Sequence, residues 1–335
     1  MLGYLSRARP LESLSEQKDG DGAEAEKNRL FVQRIHDIRK FAKDELGLDL
    51  GKNYTRYVQI DRDYLAAVVS ASAADSFTRH EWRYPVVGAM PYKGFFNIED
   101  ARKERAKLEK KGLDVWIRGV DAFSTLGWFR DPLYSYMRDY PVDRLADLII
   151  HESVHATVFL KGQVQFNEEF AEFVGSEGAR LYMESRFGVD SDEYGAMVAA
   201  EEDNRRFVTF ILDLVSELQT LYGSGASRDE KFREKEAIIG AAKERFAAEY
   251  DDLFTSGNYR GFSDLPVNNA YLELYRLYHA EDNFFTDLYE RSGKNLPAFI
   301  VAAKSMQKRG PDGRERLAAA LGTGGLKKQT TNDTK

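Results

Sequence analysis

The sequence predicts an α+β fold, and three observations carry that prediction. Hydrophobic residues make up 43% of the 335-residue chain and charged residues 31%, enough to bury a full core. Strand-like segments gather in the first half of the chain. Long amphipathic segments with glycine stops fill the second half. Strands first and helices after is an α+β layout, not an alternating βαβ one.

In chain order, residues 1–28 are polar around KDGDGAEAEK and read as a flexible N-terminal arm. Residues 29–310 read as a single unit, with helix plus sheet over 29–140 and a helical part over 141–310. Phe31, Ile35, Ile38, Phe41 and Leu46 place a first helix near 29–46. Strand-like runs follow at 54–60, 64–72 and 80–96, where Pro85 and Pro91 imply an edge or a bend. A charged helix over about 98–111 ends at Gly112, and 113–129 reads as another strand. Together these predict a small mixed or antiparallel sheet.

The helical part begins with 141–161, opened by Pro141 and Asp143 and stopped by Gly162. Helices at 168–187 and 191–222 stop at Gly188 and Gly223. Ser227 and Glu230 form a capping-box pattern for 228–254. Shorter helices are expected at 267–279, 282–291 and 296–308. Residues 311–335 are poor in large apolar side chains and read as a disordered tail.

Composition removes several function classes. The net charge of −7 argues against a nucleic-acid partner, which would meet a basic face. The chain has no Cys, which excludes disulfide scaffolds, Cys-ligated zinc, iron–sulfur clusters and thiol nucleophiles. No apolar run approaches the ~20 residues that span a bilayer.

The chemistry concentrates in DLIIHESVHATVFLKGQVQFNEEFAEFVG. His151-Glu152-Ser153-Val154-His155 fits H-E-x-x-H. On a helix the two imidazoles sit one turn apart on one face and can grip one Zn²⁺, with Glu152 beside them. A catalytic zinc needs a third protein ligand and an open position. Glu168, which follows His155 after a turn at Lys161-Gly162, can face the histidines from the start of an antiparallel helix. Glu169 reads as a surface residue. Glu172 is either an outer acceptor for a ligand imidazole or a solvated helix carboxylate. The chemistry such a site performs is hydrolysis by metal-activated water, with Glu152 as general base. The plain alternative is a helix carrying two capped or surface histidines.

HESVHATVFLKGQVQFNEEFAEFVGSEG resembles the bacterial family of putative zinc aminopeptidases, gluzincin-like proteins that include many predicted envelope lipoproteins. WRYPVVGAMPYKGFF, GVDAFSTLGWFRDPL and PVNNAYLELYRLYH resemble further segments of that family, in the same order, over residues 30–300. The resemblance implies a zincin-like metallopeptidase with one zinc per chain on His151, His155 and Glu168, Glu152 as base and a peptide as substrate. It implies Tyr278 as oxyanion donor with His279 in reserve. It points to Asn268 and Asn269 at the head of the matching helix, and to Ser124 and Thr125 as residues that line the cleft through an edge strand pairing with peptide, with an ordinary structural turn before Gly127 as the other reading of those two. Tyr271, Tyr275 and Tyr278 also fit a plain core stripe. Phe123 and Arg130 depart from the family pattern.

LGYLSRARPLESL resembles the stretch after the lipid-carrying Cys of those lipoproteins. That implies a lipid anchor in relatives and a periplasmic or envelope location, with the cytoplasm still compatible. Gly88-Ala89-Met90-Pro91 only echoes the G-x-M-E-N signature that holds a free amino terminus. Two other readings therefore stay open: a zincin-like scaffold binding peptide or cell-wall partners without turnover, and a metal that only staples two helices.

Overall fold

The structure, a computed structural model, describes residues 7–16, 22–84, 88–120, 131–278, 283–306 and 312–322, with the side chains of Leu277 and Tyr278 outside that description. It is α+β, mostly helical with small sheets. The chain folds as two compact units that do not follow the division expected at 140/141. The first comprises 1–61, 124–189 and 282–335, and the second 62–123 and 190–281.

In the first unit, β1 (Arg9–Pro10) pairs antiparallel with β2 (Arg56–Val58), which pairs parallel with β8 (Leu133–Tyr134). Helix α1 (Gly22–Asp44) starts earlier than the expected 29, and buries Phe31, Val32, Ile35 and Ile38. The expected arm also holds a short 3-10 turn, Leu11–Leu14, with both leucines buried. Pairing with β2 and the Leu11 N to Thr55 O bond of 3.0 Å tie this segment down, non-local contacts that its polar composition hides.

Helices α3 (Val142–Thr157) and α4 (Val164–Phe187) are the packed pair that carries the site. Helix α3 ends before the expected 161. Ser153 and Thr157 hydroxyls donate back to the carbonyls of Ile149 and Ser153, at 2.5 and 2.7 Å, and Val158 turns extended. Around α4, Phe166, Phe170 and Phe173 meet Phe285 on α8 (Phe284–Arg291) and, for the latter two, Phe299 on α9 (Leu296–Ser305). A last helix, α10 (Gly313–Ala320), lies inside the expected tail. Asp312 caps it through Arg314 N, and Leu317 and Ala318 are buried, so two apolar residues suffice where composition looked too poor.

In the second unit, β3 (Ala66–Ala73) lies between β6 (Tyr92–Phe95) and β7 (Leu113–Val120), both antiparallel to it. The expected strand 80–96 is three short ones: β4 (Trp82–Tyr84) paired with β5 (Gly88–Met90), and then β6 after Pro91. One sheet face packs on α2 (Ile98–Glu109) through Ala67, Val69, Val115, Ala101 and Leu108. Helices α5 (Asp192–Gly223), α6 (Arg228–Leu253) and α7 (Asn269–Tyr278) share an aromatic core around Phe207, Phe246, Phe262 and Tyr271. The capping box expected at Ser227 and Glu230 is present. No helix among the described residues is long and apolar enough to cross a membrane.

Candidate metal centre

Helix α3 places His151 and His155 one turn apart on one face. The chain then reverses through Val158–Gln163, with Gly162 at φ +81°, a conformation glycine adopts without strain. Asn167 closes the reversal. Its Nδ2 donates to Leu160 O and its Oδ1 accepts from Leu160 N, both at 2.9 Å. Because α4 starts at Val164, Glu168 stands a full turn inside the helix, with Asn167 fixing its approach. Gly175 and Gly178 set how closely α4 meets α3. A Cβ on Gly175 would lie 2.5 Å from Asp147 Oδ1 and 3.0 Å from His151 Cβ, and one on Gly178 would lie 3.0 Å from Ile150 Cγ2.

Three donor atoms converge as a result. Nε2 of His151 and Nε2 of His155 are 3.3 Å apart. Glu168 Oε2 is 3.9 Å from the first and 3.5 Å from the second. A tetrahedral zinc with arms of ~2.1 Å has edges of about 3.4 Å, so the three distances outline one face of such a polyhedron. Two imidazoles and a carboxylate are also a donor set that suits Zn²⁺. Among the described residues no other trio of His, Asp or Glu gathers this way.

Burial is graded across the trio. The His155 side chain is 1% exposed, that of His151 25% and that of Glu168 53%. Burial first, and then His155, push the His151 pKa down to about 4, against the pull of Glu168. Burial also works to lower His155, but the hydrogen bond and charge of Glu168, with Glu152, outweigh it and raise its pKa. The His155 hydrogen bond holds Glu168 below the usual carboxylate value. His151 is thus a neutral donor at neutral pH, the form a metal requires. His155 Nδ1 is buried and meets no hydrogen-bond partner among the described residues.

A second ring surrounds the trio. Asp147 sits one turn before His151, and burial first, then Glu172 and Asp143, raise its pKa to about 6. Burial, then Glu169 and Glu168, raise Glu172 as well. Neither imidazole hydrogen-bonds to Glu172. Glu169 instead pairs with Arg314 and accepts from Gln165. Tyr54 is buried with φ +58°, and burial first, then Glu152, push its phenol far up.

The remaining expected site residues fare differently. Ser124, Thr125 and His279 lie outside the described residues, as does the Tyr278 side chain. Asn268 and Asn269 lie in the second unit, and both amides are committed to architecture. Asn268 Nδ2 donates to Val115 O at 3.1 Å, and its Oδ1 caps Tyr271 N at 3.1 Å. Asn269 is fully buried, with Nδ2 on Ala73 O at 2.9 Å and Ser76 O at 3.2 Å, and Oδ1 accepting from Tyr222 at 2.8 Å. Sequence reasoning missed the roles of Asn167, Gly175, Asp147 and Tyr54. Only the glycine, in the middle of a helix, carried a signal that a close approach was needed.

Residues 1–318 match the family described as "Putative aminopeptidase". The chain belongs to this family. Membership makes it a peptidase at the coarse level, acting on peptides. No curated protein and no solved structure matches.

Proposed function

We propose that this chain is a zinc-dependent aminopeptidase of the zincin kind, with His151, His155 and Glu168 as metal ligands and Glu152 as general base. The observation that carries the reading is the meeting of the three donors within 4.8 Å of one another, two of them on the helix that also bears Glu152 and the third on the helix that packs against it. A Zn²⁺ ion held there supplies a Lewis acid that polarises a peptide carbonyl and makes water acidic. Glu152 takes the proton of the attacking water and hands it to the departing nitrogen. The Glu152 charge helps raise His155, and it opposes ionisation of the Tyr54 phenol. Tyr278 is the proposed oxyanion donor, with His279 in reserve.

The test separates metal from base. Wild-type protein purified without chelator should hold about one zinc per chain, and Glu152→Gln should hold the same amount while losing at least ~100-fold in peptide hydrolysis. Less than a tenth of a zinc per chain overturns the metal centre. Zinc retained with unchanged hydrolysis in the variant overturns the role of Glu152. A zinc-loaded wild type that cleaves no peptide of a broad library leaves the binding scaffold as the function.

A further inference from the structure

The second unit holds a recess that its architecture does not use. It lies where α7 crosses the sheet and is lined by Ser70, Tyr92 and Arg118 from the strands and by Glu273 from the helix, among others. Its volume is about 430 Å³ with the open mouth included. The strand register explains the placement. Ser70 stands opposite Tyr92 on β6 and Trp116 on β7, and Arg118 follows two residues along the same face, opposite Val68.

The charges there do not balance. Glu273 is buried, with its side chain 4% exposed, and it already serves two guanidiniums: Arg276 at 2.9 Å and Arg79 at 3.4 Å. Arg118 adds a third. It has no ion-pair partner among the described residues, and its Nε is buried with no hydrogen-bond partner. A guanidinium cannot shed its proton, so an unmatched one held partly out of water is poised for an anion. The rest of the lining decides which anion. Ala71, Pro91, Ala270 and Leu274 make the walls apolar, while Ser70 and Tyr92 bring hydroxyls. Inorganic phosphate gains nothing from apolar walls. A carboxylate on a short hydrocarbon stem satisfies both parts, because its two oxygens fit the planar guanidinium fork and its stem meets the walls.

We propose that this recess is a binding site for an organic monocarboxylate, with Arg118 as the anchoring residue. Its lining shares no residue with the His151 centre, and its test reads no hydrolysis, so it stands or falls apart from the proposed peptidase activity.

The experiment titrates the full chain with N-acetyl-leucine at fixed ionic strength, followed by saturation-transfer NMR. The expected result is millimolar binding that is at least ~10-fold weaker for N-acetyl-leucinamide and for Arg118→Gln. Arg118→Lys should keep part of the affinity, since it retains the charge without the fork. Leu274→Trp, which fills the recess and leaves Arg118 in place, should also abolish binding, and decides the matter if Arg118→Gln does not fold. A carboxylate resting on a metal at His151 would bind the wild type and both recess variants alike, and that outcome overturns the proposal. So does equal binding of the amide, or inorganic phosphate binding more tightly than N-acetyl-leucine.

Discussion

Gly175→Ala should loosen the metal centre from a position that touches no metal. The added Cβ would sit 2.5 Å from Asp147 Oδ1, 3.0 Å from His151 Cβ and 3.3 Å from Asp147 O. Carbon contacts settle near ~3.5 Å, so relief needs about 1 Å at the carboxylate and about half an ångström at the His151 Cβ. The carboxylate can rotate away. The Cβ of His151 belongs to the α3 framework and yields only if α4 backs off. Glycine to alanine inside a helix gains about 1 kcal/mol of propensity, and overpacking costs about 1–3 kcal/mol. The fold should therefore lose about 2 kcal/mol at most. The larger effect is on convergence. The His151–Glu168 distance is already the longest of the three at 3.9 Å, and retreat of α4 lengthens it. Displacements of this kind cost 10–100-fold in metal affinity by analogy with lost outer partners. Zinc affinity by chelator competition, paired with thermal unfolding of the metal-free protein, measures both terms. Gly178→Ala is the control, because its neighbours are the methyl ends of Ile150 and Leu46 at 3.0–3.1 Å, which can give. If Gly175→Ala binds zinc within twofold of wild type and unfolds later, the close-approach argument is refuted.

Asp147 has a folded pKa of about 6 against an ordinary 3.8, so its charged form is disfavoured by folding. The penalty is absent below about pH 4, grows up to pH 6 and is constant above, reaching about 3 kcal/mol at most. Asp147→Asn should therefore stabilise the metal-free protein at pH 7–8 but not at pH 4, as urea unfolding with chelator present will show. His151 acts with the opposite sign: its pKa is lowered to about 4, so stability drains away as pH falls from 6.5 towards 4, and the Asn variant should show that slope undiluted. Asn269→Ala strips partners from the Tyr222 hydroxyl and from the carbonyls of Ala73 and Ser76, and should cost about 3–5 kcal/mol in denaturant midpoints while leaving zinc content unchanged. Zinc affinity should fall about tenfold per pH unit below the raised pKa of His155, a one-proton slope, because His151 is already neutral there; calorimetry in buffers of different ionisation enthalpy counts that proton.

The donor trio was legible because each piece of it is local. Two histidines four apart on an amphipathic helix share a face whatever the rest of the chain does, and a short reversal brings the next helix back beside them. What the spacing did not show is how Glu168 is held, since the Asn167 clamp on Leu160 depends on the loop shape. Helix ends followed the same division. Gly188 and Gly223 stop or close α4 and α5 as read, whereas α3 stops at Thr157, where Val158 turns extended, before the glycine at 162. The two-unit organisation was not legible at all. Pairings such as β2 with β8, and the tie from Asn269 to Ala73, join residues far apart in sequence, and hydrophobic periodicity is blind to them. Leu11, Leu14 and Leu317 were misjudged for the same reason: each lies in a polar stretch and is buried by distant contacts.

The gradient of exposure across the trio bears on whether a metal there works or merely fastens. A structural zinc site is closed by four protein donors and walled on all sides. Here the described residues supply three donors, and the outermost, Glu168, keeps half of its side chain in solvent while His155 is sealed. A staple gains nothing from leaving one donor in water, where the cation's charge is screened and exchange is fast. A hydrolytic site needs that open side, because water and a peptide must both reach the cation while the buried histidine keeps the geometry from relaxing. The placement of Glu152 follows the same logic. It is on the α3 framework next to His151 and three residues before the sealed His155, so a general base at that position would be held by the same rigid helix that holds the two imidazoles.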